Sequence, residues 1–341
     1  MKKKLLIVNS DPKESSYGGV APFMRNMHPY LDSAFDVTYL YPERLKHGSI
    51  IPNRIATFLF FLRNREKMAQ YDFVLSHIPE ASYVLSFMSS PFAHIFHGND
   101  NPMSVSRFKG ARLFRGIYNS IYRRIDRHAT LCYTVGPIVG RRRKIFNPIV
   151  KTSEPYPFLR RKGFFFAGRL EAMKCVDRLI RIYAMLPITV RAEHEFFIAG
   201  SGTMKDEWKT LVQDLKMEDK IHFVGNIPNE KMQEFDAQHK ILLMASTREG
   251  MPTAIAEALT VGVPVVSTDV GDIKSVIKNG ENGFLLSPDF SDEDYVDAIS
   301  AILNDYETFS RNALATSKLF NAEQVSKGII EDINQIVNSR G

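Results

Sequence analysis

The sequence predicts an α/β fold made of two doubly wound, Rossmann-like domains whose parallel sheets face a cleft. Its 341 residues are enough for about two domains of ordinary size. Short apolar runs alternate along the chain with longer amphipathic stretches, which is the pattern of repeated βα units. Residues 147–162 contain three prolines and no periodicity, which predicts a linker between two such series.

The first half is predicted to form one domain over residues 1–150. Its apolar runs predict strands at residues 4–9, 37–41, 73–76, 94–97 and 131–134. Its amphipathic stretches predict helices at residues 20–31, 55–68 and 106–127.

The second half repeats the pattern, and we predict a second domain over residues 151–320. Its strands are predicted at residues 163–167, 195–199, 220–224, 241–244, 263–267 and 283–286. Helices are predicted between these strands, for example at residues 206–215 and 253–261. Two long helical patterns follow at residues 295–304 and 323–337, the last within a separate C-terminal segment, residues 321–341. Open parallel sheets bind ligands beyond the carboxyl ends of their strands, so the cleft between the domains is the predicted site.

The composition is that of an ordinary globular protein, with 44% apolar and 24% charged residues. The longest nearly continuous apolar stretch, residues 55–62, is far shorter than the ~20 residues of a membrane-spanning helix. The basic start, MKKKLLIVNS, fits a first core strand better than a signal peptide. Cys132 and Cys175 lack a CxxC spacing, which suggests a reducing compartment and no structural zinc. We therefore expect a cytoplasmic protein that is not integral to a membrane.

The charge is distributed unevenly along the chain. Residues 1–150 hold 22 Lys and Arg against 10 Asp and Glu, whereas the remainder holds 22 against 28. The first half therefore has a net charge of +12 within a total of +6, which predicts an anionic partner. Nucleic acid is disfavoured because no recognised module or aromatic platform accompanies the charge.

Basic and apolar residues are interleaved around Arg54, Arg63 and Arg65 and over residues 107–127. This arrangement favours peripheral contact with an anionic leaflet, at the inner face of the cell membrane. The alternative is a pair of ordinary helices that cover the sheet and expose their charged faces to water.

The strongest motif is STREGMPTAIAEALTVGVPVV, residues 246–266. A strand ends before Glu249, and a helix begins near Pro252, a residue suited to a first helical turn. The backbone N–H groups of Thr253 and Ala254 would then favour a phosphate. Glu257 follows within the next turn and can accept two hydrogen bonds from a diol. The alternative is a generic strand-loop-helix unit with solvated glutamates.

Two further motifs follow strands of the second domain. In FFFAGRLEAMKCVDRLI, Arg169 and Lys174 suit a pyrophosphate leaving group, although they could also be plain surface cations. In FFIAGSG, Gly200 and Gly202 resemble a phosphate-binding loop, but a tight βα turn explains them equally well.

The first domain contributes two candidate features. Gly18 and Gly19 follow the first strand and precede a helix, so the backbone could approach a ligand closely there, or they could form a plain turn. His97 ends a predicted strand, which makes it a candidate contact for a sugar or, alternatively, a structural histidine.

Together these motifs resemble the family 4 retaining glycosyltransferases, whose architecture is called GT-B. The resemblance is carried by Glu-x7-Glu, by GR-x4-K, by the early GG pair and by the histidine at a strand end. It is tight over residues 163–288 and loose over residues 1–160. It implies an acceptor-binding first domain, a donor-binding second domain and a last helix that crosses back to the first.

The resemblance also implies roles for single residues. Arg169 and Lys174 would hold the donor diphosphate, Glu249 would contact the transferred sugar, and His97 would lie beside that sugar; these form the predicted catalytic set. Glu257 would bind the donor ribose. The complete predicted donor-binding set is Gly18, Gly19, Gly200, Gly202, Asn226, Ile227, Gly250, Met251, Pro252, Thr253, Ala254 and Glu257.

The sequence departs from the family pattern at two places. Cys175 stands where the family often has Gly, and GDIKSVI stands where the family resembles GG-I-P-E-V-I. These changes bear on which sugar is held. Asp292 and Asp294 form the only D-x-D pair, and we interpret it as helix capping because carboxylates favour a helix N-terminus. We therefore expect no metal and no cofactor.

The predicted function is retaining, metal-independent transfer of a sugar from a nucleotide-sugar to a lipid-linked or cell-surface polysaccharide acceptor. UDP is the default carrier from its frequency in the family. Two alternatives remain open at this point: a soluble transferase acting on a small metabolite or a protein, and a non-catalytic subunit that binds a nucleotide-sugar. The sequence does not specify the sugar, the base or the acceptor.

Overall fold

The computed structural model describes residues 2–10, 20–42, 53–97 and 111–340, without the side chains of residues 21 and 111–114. The chain divides into two compact units. The first comprises Met1–Pro148 and Ala322–Gly341, and the second comprises Ile149–Asn321. Within the described residues, each unit is built on one six-stranded parallel sheet. The two doubly wound α/β domains predicted from the sequence are confirmed.

The first unit has the strand order β2-β1-β3-β4-β5-β6. Its central strands are buried along their length, because helices cover both faces of a parallel sheet. Its strands are β1 Lys4–Val8, β2 Asp36–Leu40, β3 Phe73–Ser76, β4 Phe92–Phe96, β5 Leu131–Thr134 and β6 Arg143–Lys144. Its helices are α1 Val20–Ala34, α2 Asn53–Arg63, α3 Arg65–Met68, α4 Pro79–Leu85 and α5 Ala111–His128.

The second unit has the strand order β12-β11-β10-β7-β8-β9. Its strands are β7 Phe164–Ala167, β8 Phe196–Ala199, β9 Ile221–Gly225, β10 Ile241–Leu243, β11 Val265–Thr268 and β12 Gly283–Leu286. Its helices are α6 Val176–Met185, α7 Ile188–Glu193, α8 Lys205–Asp214, α9 Asn229–Gln238, α10 Thr253–Thr260, α11 Asp292–Asn304 and α12 Tyr306–Thr316. Strands β7 and β10 are neighbours, which brings the loops that follow them together at one edge of the sheet.

The last helix, α13 Ala322–Asn338, packs against α1 in the first unit. Its Asp332 accepts hydrogen bonds from the Tyr133 hydroxyl at 2.7 Å and from the Arg143 guanidinium at 2.6 Å. These contacts fasten the end of the chain to the edge of the first sheet.

The predicted linker, residues 147–162, contains the division between the two units. The division between the units falls after Pro148, and the residues that follow belong to the second unit. Arg161, near the end of this stretch, is 0% exposed and donates to the carbonyl oxygens of Tyr156, Val261 and Gly262 at 3.0, 2.7 and 2.8 Å. Most of this stretch is exposed, and the buried Arg161 anchors its end to the second unit.

Element boundaries differ modestly from those predicted. The helix predicted over residues 55–68 divides at Asn64 into α2 and α3. Helix α4 and strand β6 were not predicted, because α4 is short and β6 has only two residues, both charged. Residues 106–110 of the third predicted helix lie outside the described residues.

Candidate active site

Loops at the carboxyl edge of the second sheet are held together by backbone hydrogen bonds. The loop after β7 donates from Leu170 N–H to Ser201 in the loop after β8, at 2.9 Å. The loop after β10 donates from Thr247 N–H to Met173 at 2.9 Å, and Asp272 N–H donates to Gly250 at 3.0 Å. These bonds form a contiguous edge from loops that are distant in sequence.

The glycines of FFIAGSG allow two of these loops to pack closely. Gly200 has φ +132°, and a Cβ atom there would lie 1.9 Å from the Gly168 carbonyl oxygen. A Cβ atom on Gly202 would lie 2.3 Å from the Leu170 carbonyl oxygen. The tight turn therefore accounts for both glycines, and their role in binding a donor stays a prediction.

The structure brings Lys174 and Glu249 together at this edge. Lys174 ends a 3₁₀ turn after β7, and its Nζ lies 2.5 Å from Glu249 Oε1. The two side chains are 14% and 9% exposed. Ser246 Oγ donates to the same Glu249 oxygen at 2.7 Å, so the carboxylate is held from two sides.

Sequence analysis missed Ser246, although it is the first residue of the strongest motif. Its side chain is buried, and its carbonyl oxygen accepts from Thr268 Oγ1 at 2.6 Å. Ser246 is thereby held between β10 and β11, and its hydroxyl in turn holds the Glu249 carboxylate in place.

Arg169 is exposed, and its guanidinium has no hydrogen-bond partner within the part of the chain that the structure describes. It follows β7 by two residues and lies in the same loop as Lys174. One cation of the predicted pair is thus held by a carboxylate, and the other is available to an anion.

The start of α10 lies next to Glu249 in the chain. Pro252 is its N-cap residue and not a residue of the first turn, and it offers no capping side chain. No acidic residue occupies the first turn, so nothing there offsets the positive end of the helix dipole. Met251 is buried, whereas Gly250, Thr253 and Ala254 are half-buried. The binding of a phosphate at this position stays a prediction.

Glu257 is half-buried on α10, which packs against α9. Asp236 on α9 is 0% exposed, and neither of its carboxyl oxygens has a hydrogen-bond partner in the described residues. Burial, with a smaller contribution from the charge of Glu257, raises the pKa of Asp236 well above its usual range. No sequence pattern had marked Asp236.

The remaining predicted residues are placed as follows. Asn226 is exposed and Ile227 half-buried, both directly after β9. His97 is half-buried at the end of β4 in the first unit. Gly18 and Gly19 lie outside the described residues.

Asp294 of the D-x-D pair has the capping role that we inferred. Ser291 Oγ accepts from the Asp294 N–H at 3.1 Å, and Asp294 Oδ2 accepts from the Ser291 N–H at 2.9 Å. Asp292 instead pairs with Arg178 at 2.8 Å. Among the residues with described positions, no group of three or more His, Cys, Asp or Glu is placed to hold a metal ion.

Cys175 has φ 47° and ψ 44°, in the left-handed region. Glycine adopts this conformation without the steric cost that a Cβ atom brings, which explains the glycine often found here in the family that the sequence resembles.

The fold is that of the GT-B glycosyltransferases. The structure superposes on sucrose-phosphate synthase from Thermosynechococcus elongatus with a TM-score of 0.78 at 17% identity, covering 99% of this chain and 100% of that one. It superposes on Anabaena HepE in complex with UDP with a TM-score of 0.73 at 18% identity, covering 98% and 100%. At these identities the comparisons establish the architecture alone.

Sequence similarity is concentrated in the second unit. Residues 153–316, just under half of the chain, match the family model described as Glycosyl transferases group 1. An uncharacterized glycosyltransferase of Methanocaldococcus jannaschii is 32% identical over 127 residues, which are 37% of this chain and 32% of that protein. The O-antigen chain mannosyltransferase B of Escherichia coli is 30% identical over 165 residues, 47% of this chain and 41% of that protein. The chain thus matches well under half the length of these relatives.

Proposed function

We propose that the protein is a glycosyltransferase that moves a sugar from a nucleotide-sugar, UDP-linked by default, to a lipid-linked or surface-polysaccharide acceptor. The observation that carries this proposal is the Lys174–Glu249–Ser246 cluster, which lies at the sheet edge where α10 begins without a side-chain cap. The cluster falls within the segment that matches the glycosyltransferase family model. The name of the Escherichia coli relative, an O-antigen chain mannosyltransferase, supports a glycan acceptor.

The proposed reaction retains the anomeric configuration and needs no metal. The bond from the anomeric carbon to the diphosphate breaks, the acceptor oxygen bonds to that carbon, and the acceptor proton passes to the departing diphosphate. Arg169, Lys174 and the first N–H groups of α10 would stabilise the charge on the leaving group. Glu249, held by Lys174 and Ser246, would fix the sugar, with His97 as a further sugar contact. Glu257 would hold the ribose.

The first test of this proposal is nucleotide binding by a Glu257→Ala variant. We expect UDP affinity to fall by about 1.5–3 kcal/mol, the usual value of hydrogen bonds to a charged group. Isothermal titration calorimetry measures the change, and Glu230→Ala, an exposed glutamate on α9, serves as the matched control. Equal UDP affinity in Glu257→Ala and wild type would exclude the ribose role.

A donor-hydrolysis assay separates the enzyme from a non-catalytic binding subunit. A transferase releases free sugar slowly from its donor when no acceptor is present, whereas a pure binding subunit releases none. A soluble transferase acting on a small metabolite or a protein would pass this assay but would not bind lipid vesicles.

We also propose that the first unit contacts an anionic membrane surface, with the protein in the cytoplasm at the inner leaflet. Among the described residues, no helix is both long and apolar enough to cross a bilayer. An open apolar groove of about 380 Å³ lies between α2 and α4. Phe87 beside it is 63% exposed, and Arg63 at the end of α2 and Arg65 at the start of α3 are also exposed. The groove is lined by Phe58, Leu62, Arg65, Tyr83, Val84, Phe87 and Met88.

Arg54 does not belong to this groove, although the sequence placed it among the membrane-facing cations. Its guanidinium donates to the buried Glu80 carboxylate at 2.7 Å and lies over the Tyr118 ring. Glu80 also accepts from the Tyr118 hydroxyl at 2.5 Å. Arg54 is therefore engaged in an ion pair within the first unit.

Vesicle flotation tests the membrane contact. We expect wild type to float with acidic vesicles and not with neutral ones, and Arg63→Ala/Arg65→Ala to lose about 2 kcal/mol of binding, at about 1 kcal/mol per cation. Lys209→Ala/Lys231→Ala removes two exposed cations of the second unit and should float normally. Equal flotation of wild type with both kinds of vesicle would contradict the proposal.

A further inference from the structure

Two histidines of the first unit form a hydrogen-bonded pair at the carboxyl edge of its sheet. His77 follows β3 and His97 follows β4, and these parallel strands are neighbours. His77 Nδ1 lies 2.8 Å from His97 Nε2, with the ring centroids 5.1 Å apart and the ring planes inclined by 25°. Phe23 of α1 packs edge-on against both rings. Sequence analysis identified His97 and missed its partner.

Both imidazoles are neutral at pH 7. Burial lowers the pKa of His97 to about 4 and that of His77 well below its usual range. A hydrogen bond between two neutral imidazoles needs one protonated and one unprotonated nitrogen. The direction of this bond therefore fixes the tautomer of both rings.

The surroundings of His77 decide the direction. His77 is 5% exposed, and its Nε2 is buried without a hydrogen-bond partner among the residues that the structure describes. If His97 were the donor, His77 would carry a buried N–H at Nε2 with no acceptor. If His77 is the donor, that position is an unprotonated nitrogen instead. A buried N–H group without an acceptor is rarer than a buried unprotonated nitrogen without a donor. We therefore assign His77 Nδ1–H as the donor and His97 Nε2 as the acceptor.

We propose that His77 is a positioning residue that holds His97 in the Nδ1–H tautomer. With Nε2 accepting from His77, Nδ1 is the only ring nitrogen that His97 can offer to a ligand, and it carries a proton. His97 then acts as a hydrogen-bond donor and not as an acceptor. In the sugar-binding role, which rests on the proposed function, His97 would donate to a hydroxyl oxygen of the transferred sugar.

Nuclear magnetic resonance of protein labelled with ¹⁵N-histidine tests the tautomer without an activity assay. Long-range ¹H–¹⁵N correlations distinguish protonated from unprotonated ring nitrogens, and His97→Gln assigns the His97 signals by their loss. We expect wild-type His97 with a proton on Nδ1 and none on Nε2. A proton on Nε2 of His97 in the wild-type protein would overturn the proposal.

Two variants test His77 as the cause. His77→Phe keeps a ring but removes the donor, so His97 should shift toward the Nε2–H tautomer that free imidazole side chains prefer. His77→Asn keeps an N–H donor near the Nδ1 position and should preserve the Nδ1–H tautomer. An unchanged His97 spectrum in a folded His77→Phe protein would contradict the assignment.

Turnover then tests the link to catalysis separately. We expect His77→Phe to lower kcat about threefold to tenfold, the value of one neutral hydrogen bond, with UDP affinity unchanged and with recovery in His77→Asn. A purely structural defect would lower both quantities. If the tautomer result holds and no sugar transfer is found with any nucleotide-sugar, the positioning role stands and the proposed function fails.

Discussion

Replacing Arg169 or Lys174 by alanine is expected to slow sugar transfer by about 10²–10³, the effect of removing one preorganised electrostatic donor. The barrier in the proposed reaction comes from charge that develops on the phosphate oxygens as the bond to the sugar stretches. Fixed cations stabilise that charge better than water does, because they are already oriented. Arg169 offers a planar fork of donors, whereas Lys174 acts as a point charge.

The two variants should differ in stability. Arg169 is exposed, so its loss should leave folding unchanged. Removing Lys174 leaves the nearly buried Glu249 carboxylate with the Ser246 hydroxyl as its remaining partner in this cluster, which should cost about 1.5–3 kcal/mol. A slow Arg169→Ala protein of normal stability would therefore indicate a catalytic cation more directly than a slow Lys174→Ala protein, in which lost stability could also lower the rate.

Single-turnover rates and donor affinity, measured separately, test these expectations. Arg181→Ala, an exposed cation on α6, is the matched control. The same assay in EDTA should retain wild-type turnover, because protein cations supply the charge in the proposed reaction. Near wild-type rates in both Arg169→Ala and Lys174→Ala would remove the main mechanistic support for the proposed function.

Replacing Arg161 by methionine is expected to lower the free energy of unfolding of the second unit by about 2–4 kcal/mol. Methionine retains much of the side-chain volume but donates no hydrogen bonds. The carbonyl oxygens of Tyr156 and Val261 would lose the guanidinium donor, at about 1–3 kcal/mol each. Gly262 would keep its bond from the Ser310 hydroxyl. Because Val261 is the C-cap residue of α10, the helix would also lose a favourable cation at its negative end.

Trp208 makes this measurement specific to the second unit. It is the only tryptophan of the chain and is buried on α8, so its fluorescence reports on that unit alone. Urea unfolding of Arg161→Met should show an earlier transition than wild type, and Arg160→Met, at an exposed neighbouring position, should not. Coincident transitions for the three proteins would show that the buried guanidinium contributes little.

Periodicity and motif spacing predicted the parts of the fold that depend on local sequence. Strands β3, β5 and β12 have the predicted boundaries, because each is a short, mostly apolar run that a polar residue precedes. Lys174 and Glu249 were both marked by their motifs. Their contact, across 75 positions, depends on β7 and β10 being neighbours, which no local pattern contains.

The residues that sequence reasoning missed act through distant partners. Three of them, His77, Ser246 and Asp236, were not predicted as site residues. Their hydrogen bonds or shifted pKa values arise from burial or from a neighbour on another element. Arg54 is the opposite case. The sequence predicted a cation available to a membrane, but the structure pairs it with Glu80, 26 positions away. Such pairings require the three-dimensional arrangement of the strands and helices.

A ribosome synthesises α13 after the whole of the second unit, yet α13 packs against α1, which precedes that unit in the chain. Residues 149–321 separate the two parts of the first unit, and at about 5–20 residues per second their synthesis takes roughly 10–30 s. Throughout that interval α1 lacks its cover, and Tyr133 and Arg143 lack Asp332. The second unit is continuous in the chain and can close during translation. We therefore expect the first unit, although most of it is made before the second, to finish folding after it, with the nascent α1 surface open to chaperones until α13 has been made.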